Sequence, residues 1–341
     1  DVIILFLMFE GKKILITGGT GSLGRSLTKK LLQSSVKTIR IFSRDEWKQV
    51  QMRSELPDKR LRFLIGDIRD KERINRAMED IDIVFHTAAL KQVPIAEYNP
   101  FEFVKTNVNG SQNVIDACLE NNVKLSVAVS TDKAVSPLNT YGATKLLMEK
   151  LFISANYYKG NHKTKFLCVR YGNVLGSRGS ILPLMIDKIK NNQKIPITDS
   201  SMTRFNITMN QALELVLRAA QHGKGGEVFV PKLKAYQVGD LKQAVIELLN
   251  KKTQTKKIAV RPGEKFHESL ISKNESDYTY ESNKDYIVVN LVDEWIGGKQ
   301  SMPYKKAKLK KEYSSDNAKL LSILELKKII KTEKLLDSIT Y

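Results

Sequence analysis

Residues 12–24 run KKILITGGTGSLG, a short apolar β run that ends in glycines and reopens as a helix. Gly18, Gly21 and Gly24 stand at regular intervals in the turn between them. The first suits a tight turn, the second lets backbone approach a pyrophosphate, and the third lets helix and strand pack closely. Phosphate would rest on the positive end of the helix that starts at Ser22. A glycine motif gains force from its strand–turn–helix context, which is present here. It predicts a dinucleotide site that Thr20, Ser22 and Leu23 share with the three glycines.

The same beat continues outward. Strands are predicted at Lys12–Thr17, Thr38–Phe42, Leu61–Ile65, Asp82–Thr87, Lys124–Ser130 and Lys165–Arg170. Helical patterns separate them, from Ser22 to Gln33, Phe101 to Asn121 and Thr140 to Tyr158. Such alternation predicts an α/β fold: a Rossmann-type parallel sheet with helices on both faces. After Arg170, Gly and Pro punctuate shorter elements, which predicts a smaller mixed α/β substrate-binding lobe. Helices are expected in it at Asn210–His222, Val238–Asn250 and Leu320–Lys331. The expected division is 8–172 for the dinucleotide domain and 173–341 for the lobe, with segments interleaved.

The end of the second strand selects the cofactor. A free ribose 2′-hydroxyl would want an acidic residue directly after Phe42. The chain offers Ser43-Arg44-Asp45 instead. Arg44 suits a 2′-phosphate as a bidentate donor, with Ser43 and Lys48 nearby. NADP is therefore expected, with NAD as the second choice because of Asp45. Asp67 and Ile68 follow the third strand and are expected at the adenine. Ala88 and Ala89 follow the fourth and are small enough for a cofactor to lie against the backbone.

Composition narrows the class. The 341 residues are 42% hydrophobic and 27% charged, the profile of an ordinary globular protein. Cys118 and Cys168 sit in apolar segments and read as free thiols in a reducing, cytoplasmic setting. The formal charge of +19 comes from scattered lysines without an aromatic ladder, so an anionic small substrate is expected, not nucleic acid. The apolar run Val2–Phe9 is far short of the roughly 20 residues of a spanning helix. Residues before Met8 read as an upstream extension, with a membrane-surface anchor as the second reading. His162, His222 and His267 share no ligand spacing, so no metal site is expected. His86, Trp47 and Trp295 read as packing residues, and Asn107 as a backbone tie near the site.

Residues 130–145 run STDKAVSPLNTYGATK. Tyr141 and Lys145 lie one helical turn apart, so an ammonium could hold down the phenol and make it a base. Asp132 and Lys133 add an acid and a base that alcohol oxidation alone does not need. To act so, Asp132 must carry a proton and Lys133 must be neutral, and burial is expected to favour both states. Both reach one substrate only if the chain leaves the strand at Thr131.

Together with AALKQVP (88–94), VRYGNVLGSRGS (169–180), MTRF (202–205) and RPGEK (261–265), these motifs resemble the extended short-chain dehydrogenase/reductase superfamily. The finer resemblance is to inverting UDP-N-acetylglucosamine 4,6-dehydratases of surface-glycan synthesis, over Gly11 to Val289. It implies oxidation at sugar carbon 4, loss of water across carbons 5 and 6, and return of hydride to carbon 6. In that scheme Tyr141, with Lys145, is the first base, Lys133 takes the carbon-5 proton, Asp132 protonates the leaving hydroxyl, and Thr131 bonds the 4-oxygen. Retaining dehydratases carry Asp-Glu where this chain has Asp132-Lys133. Arg204 and Arg261 suit a diphosphate or ribose, with Thr203 beside the former. Asn173 is implied at the substrate phosphate, Glu264 at the ribose and Lys91 at both cofactor and substrate. Arg178 is open between substrate and surface pairing. The competing readings are a retaining dehydratase or 4-epimerase, and a non-catalytic NADP(H)-sensing protein. A homo-oligomer is also expected.

Overall fold

The computed structural model describes residues 7–177, 179–251, 253–260, 262–289 and 303–336. Arg178, Arg261 and Trp295 lie outside them. Strands β1 (Lys13–Thr17), β2 (Thr38–Ser43), β3 (Leu61–Ile65), β4 (Ile83–His86), β5 (Leu125–Val129), β6 (Lys165–Val169) and β7 (Glu227–Pro231) are parallel, in the spatial order 3-2-1-4-5-6-7. Beyond β7 the sheet continues with antiparallel β9 (Asp285–Val289), β8 (Thr279–Glu281) and β10 (Lys305–Lys306). The strand order reverses beside β1, the place where doubly wound sheets open a crevice for ligands.

Helices α1 (Ser22–Leu31), α2 (Glu46–Glu55), α3 (Gly110–Glu120), α4 (Thr140–Tyr158), α5 (Ile181–Lys190), α6 (Met209–His222), α7 (Val238–Leu249) and α8 (Ile323–Thr332) account for most of the remaining architecture. One apolar cluster, with Ile14, Ile16, Leu27 and Val216, packs on one sheet face. Another, with Leu15, Val84, Val114 and Phe152, packs on the other. The side chains of β1 alternate between the two clusters, as a strand covered on both faces must. A third cluster joins α5, α7 and α8 through Leu182, Ile186, Leu241, Leu326 and Ile330 and forms the core of the second lobe. That lobe is not a simple C-terminal half, because β7 to β10 return to the main sheet.

The helix expected from Phe101 to Asn121 differs in one respect. It opens as a short α turn at Pro100–Phe103, passes through a π turn at Val104–Asn109, and only then becomes α3. A π turn inserts one residue and rotates the side chains around it. Here Asn107 is turned into the interior, where it is 1% exposed. Trp47 is a correction of another kind: it is 68% exposed and packs in no core. Its place on the outer side of the first turn of α2 explains this.

Candidate active site

The C-terminal ends of the parallel strands converge on one crevice. Gly18 has φ +65°, and a β-carbon on it would lie 2.8 Å from the Ala88 α-carbon. A β-carbon on Gly24 would lie 2.6 Å from the Gly19 α-carbon. The turn is thus folded tightly against β4 and α1, which only glycine permits. Gly21 is the N-cap of α1, and no side chain caps it. The first-turn N–H groups therefore suit an anion, and the cradle fits a dinucleotide pyrophosphate. Thr20 is buried, whereas Ser22 stands at the open start of the helix.

At the adenosine end, Arg44 Nη1 lies 3.7 Å from Asp67 Oδ2, and the Arg44 side chain is half exposed. Lys48 is paired with Asp45 at 2.5 Å, and Asp45 caps α2 by accepting from the Lys48 backbone N–H. The Ser43 hydroxyl is buried and accepts from Gln49 Nε2 at 3.0 Å. Burial would raise the Asp67 carboxyl, but its bonds to Arg69 and the charge of Arg44 hold it below the usual range. Ile68 turns its side chain into the core and its carbonyl to Asn113.

The strand does end before the acid–base pair. After β5, Thr131 stays extended and caps a 3₁₀ turn at Asp132–Ala134. That turn swings two sequence neighbours to the same side. Lys133 Nζ lies 3.0 Å from Asp132 Oδ1, and the Thr131 hydroxyl donates to the same oxygen at 3.0 Å. Asp132 is 1% exposed. Glycines make room for this arrangement: Gly142 faces the Lys133 carbonyl and Gly172 faces the Asp132 carboxylate.

A second carboxylate, Glu268, lies 3.0 Å from Lys133 Nζ on its other side and is 3% exposed. Burial acts to make Lys133 neutral, but Asp132 and Glu268 outweigh it and hold the group above the ordinary lysine range. The expectation that burial would neutralise Lys133 is therefore corrected. Lys133 Nζ stands 3.0 Å from an oxygen of each of the two carboxyl groups. Glu268 was missed although it lies three residues past the RPGEK motif, because only the folded chain brings it to the turn.

Tyr141 and Lys145 stand in the first turns of α4, whose N-cap Asn139 accepts from the Gly142 N–H. Burial pushes the Tyr141 phenol up to about 12, opposed by the Thr131 hydroxyl and the Lys133 charge. Lys145 is not what bears on the phenol here. Its Nζ donates to Met148 Sδ at 3.3 Å, and burial lowers it to about 8. That value leaves Lys145 ready to exchange a proton near neutral pH. His86 is a packing residue: its ring bonds Thr17 and Ser111 and stacks on Phe152. Asn107 does tie backbone, accepting from the Leu90 N–H and donating to the Leu90 carbonyl, both at 2.9 Å, and it also reaches Thr144 of α4.

Of the residues expected at a substrate, Thr203, Arg204 and Glu264 lie past β6, near one another. Arg204 sits in the short strand Thr203–Phe205, donates to the carbonyls of Thr203 and Phe266, and reaches Glu264 at 3.3 Å. Thr203 is buried and bonds His267 and Ser315. Tyr236 pairs across from Arg204, and its buried phenol is pushed up to about 12 by burial, within range of the charges of Arg204, Lys133 and Asp132. It was not anticipated. Residues 263–265 meet the start of α4 and the turn before it: Asn139 donates to the Gly263 carbonyl, and Lys265 donates to the Val135 carbonyl. Asn173 and Lys91 are exposed, in the loops after β6 and β4. Among the described residues, no group of three His, Cys, Asp or Glu side chains converges as metal ligands would, and no helix is long and apolar enough to cross a membrane.

The chain is similar to several known proteins. A family model described as polysaccharide biosynthesis protein matches residues 14–290. A Campylobacter jejuni protein named UDP-N-acetylglucosamine 4,6-dehydratase (inverting) is 49% identical over 292 residues, covering 84% of this chain and 86% of its own. A Rickettsia rickettsii protein named UDP-glucose 4-epimerase is 41% identical, covering 95% and 97%. The X-ray structure of Pen from Bacillus thuringiensis superposes with a TM-score of 0.88 at 44% identity, covering 95% of this chain and 99% of that one.

Proposed function

The chain belongs to the polysaccharide biosynthesis protein family, within the extended short-chain dehydrogenase/reductase superfamily, and we propose that it catalyses the inverting 4,6-dehydration of UDP-N-acetylglucosamine to a UDP-4-keto-6-deoxy-L-hexosamine. The observation that carries the reading is the Asp132–Lys133 pair, turned to one side beside the Tyr141 phenol. Gly18, Gly21 and Gly24 would hold the pyrophosphate of a nicotinamide dinucleotide, with Arg44 and Ser43 at the adenosine ribose. NADP is the proposed form, because the residue directly after β2 is Arg44 and not an acid. When bound, the group supplies reversible hydride storage between sugar carbons 4 and 6.

The chain's own residues then move protons. Tyr141, as the phenolate, takes the proton of the 4-hydroxyl while Thr131 bonds the same oxygen, and Lys133 supplies the positive charge that opposes burial at the phenol. The 4-ketone acidifies the hydrogen on carbon 5. Lys133 passes its proton to Asp132 Oδ1 across 3.0 Å, which yields the amine and carboxylic acid that elimination requires without any outside proton. The amine takes the carbon-5 proton, and the acid protonates the departing 6-hydroxyl as water. Arg204, Arg261 and Asn173 would bind the diphosphate, Glu264 the ribose. Exposed Phe101, Leu147 and Tyr158 on the long helices support a homo-oligomer.

A 4-epimerase is the second reading, favoured by the name of the Rickettsia relative. Epimerisation needs no acid–base pair beyond tyrosine and lysine, so Asp132 and Lys133 weigh against it. Incubation of the purified protein with UDP-N-acetylglucosamine in deuterated water separates the two. Loss of one water with deuterium at carbon 5 is expected; unchanged substrate or a 4-epimer alone would overturn the dehydratase reading.

A further inference from the structure

Glu268 stands outside the motifs that define the site, yet it is built into it with care. Its backbone N–H donates to Ser315 Oγ at 3.0 Å, and its carbonyl accepts from the Ser315 N–H at 2.8 Å. Ser315 is fully buried and bonds Thr203 as well, so the strand beside Arg204 and the loop of Glu268 share one anchor. Ser315 directly follows the short strand Tyr313–Ser314, which pairs with Ser269–Ile271. Glu268 Oε1 meets Lys133, while Oε2 is buried without a hydrogen-bond partner among the described residues. A buried carboxylate with one oxygen unserved is unfavourable unless its charge is used. The cation it faces is Lys133.

We infer that Glu268 is a positioning residue for Lys133, keeping the amine within reach of Asp132 and retaining the single proton that the two share. This rests on the dehydration proposed above. In each state in which Lys133 is charged, at rest and after the carbon-5 C–H bond has broken and an N–H bond has formed, Glu268 remains a carboxylate and balances it. If the shared proton is lost to solvent, Asp132 stays a carboxylate and Lys133 an amine. The base is then present, but no acid remains to discharge the 6-hydroxyl. The charged and titratable groups facing Lys133 are Asp132 on its own turn, Glu268, Arg204, Tyr141, Tyr236 and Lys265 from the elements around it. The two carboxylates dominate the balance, which holds Lys133 above its ordinary range despite burial.

The test compares full-length wild type, Glu268→Gln and Glu268→Asp, loaded with cofactor, from pH 7.5 to 10. Removing one of two adjacent carboxylates should lower the pH at which the pair loses its proton by about one unit or more. The ratio of kcat between Glu268→Gln and wild type should therefore stay level near pH 7.5 and fall by about twofold or more as pH approaches 10, with KM unchanged, while the ratio for Glu268→Asp stays flat. A flat ratio for Glu268→Gln, or an equal fall for Glu268→Asp, overturns the inference. NMR of ¹³Cε-labelled lysine, assigned with Lys133→Met, reads the same point without turnover: Lys133 should titrate at lower pH in Glu268→Gln than in wild type, and coincident titrations overturn it. That arm stands even if no sugar is dehydrated, a result that would sink only the functional reading. Should Glu268→Gln fail to fold, Ser315→Ala, which removes the anchor of the Glu268 loop, takes its place: Lys133 should titrate at lower pH than in wild type, and coincident titrations overturn the inference.

Discussion

Gly172 and Asp132 share one space: a β-carbon on Gly172 would sit 2.7 Å from Asp132 Oδ2. The glycine after β6 is therefore what lets the acid lie flat against the next strand end. Gly172→Ala should leave the fold and cofactor binding in place but displace the carboxylate from Lys133. A fall of about 100-fold in kcat is expected, since a displacement of an ångström is enough to cost that much. Unchanged kcat would mean that the carboxylate position is not critical.

Lys133→Met should keep cofactor binding and lose water elimination by about 10²- to 10⁴-fold, the ordinary worth of a general base. Product mass spectrometry checks it. Dehydration at the wild-type rate would remove the base assignment.

Arg44→Glu should weaken NADP binding by about tenfold or more and NAD far less, because a bidentate phosphate contact is exchanged for repulsion. Calorimetric titration with both dinucleotides measures the ratio. Equal losses would show that Arg44 does not read the 2′-position.

Asn107→Leu should destabilise the protein by about 1–3 kcal/mol, because the half-buried Leu90 N–H and carbonyl both lose their partner. Urea unfolding gives the value. The same change should loosen the 88–92 loop and weaken cofactor binding; a stable variant with full affinity would mean that the loop holds itself.

The buried His86 ring is lowered to about 3 by burial and by the charge of Lys145. The unfolded chain takes up a proton there near pH 6.5, whereas the folded chain does not until about 3. The contribution of His86 is thus fully present above pH 6.5 and is lost as pH falls, by up to about 1.4 kcal/mol per unit. Urea unfolding between pH 7.5 and 5 should show a shallower acid loss for His86→Gln than for wild type. Equal slopes would contradict the burial argument.

The sequence by itself determined the sheet and its cradle. Thr140–Tyr158 and Leu61–Ile65 have the bounds their periodicity predicts, because each is a regular element covered by a continuous apolar pattern. The glycines of the first turn were legible because φ at Gly18 and the fit of Gly24 against Gly19 are set within a few residues, whereas the contact of Gly18 with Ala88 came from the fold. Asp132 and Lys133 could be named but not oriented. Whether they face one way depended on the 3₁₀ turn and on Gly142 and Gly172, which meet them from other elements. The π turn at Asn107 was hidden because its cause is a backbone partner on another segment. The charge of Lys133 was decided only by tertiary structure, since Glu268 and Ser315 reach the site from far along the chain. Local pattern carries backbone conformation; the protonation of a buried group depends on every charge within a few ångströms, and only the folded chain says which those are.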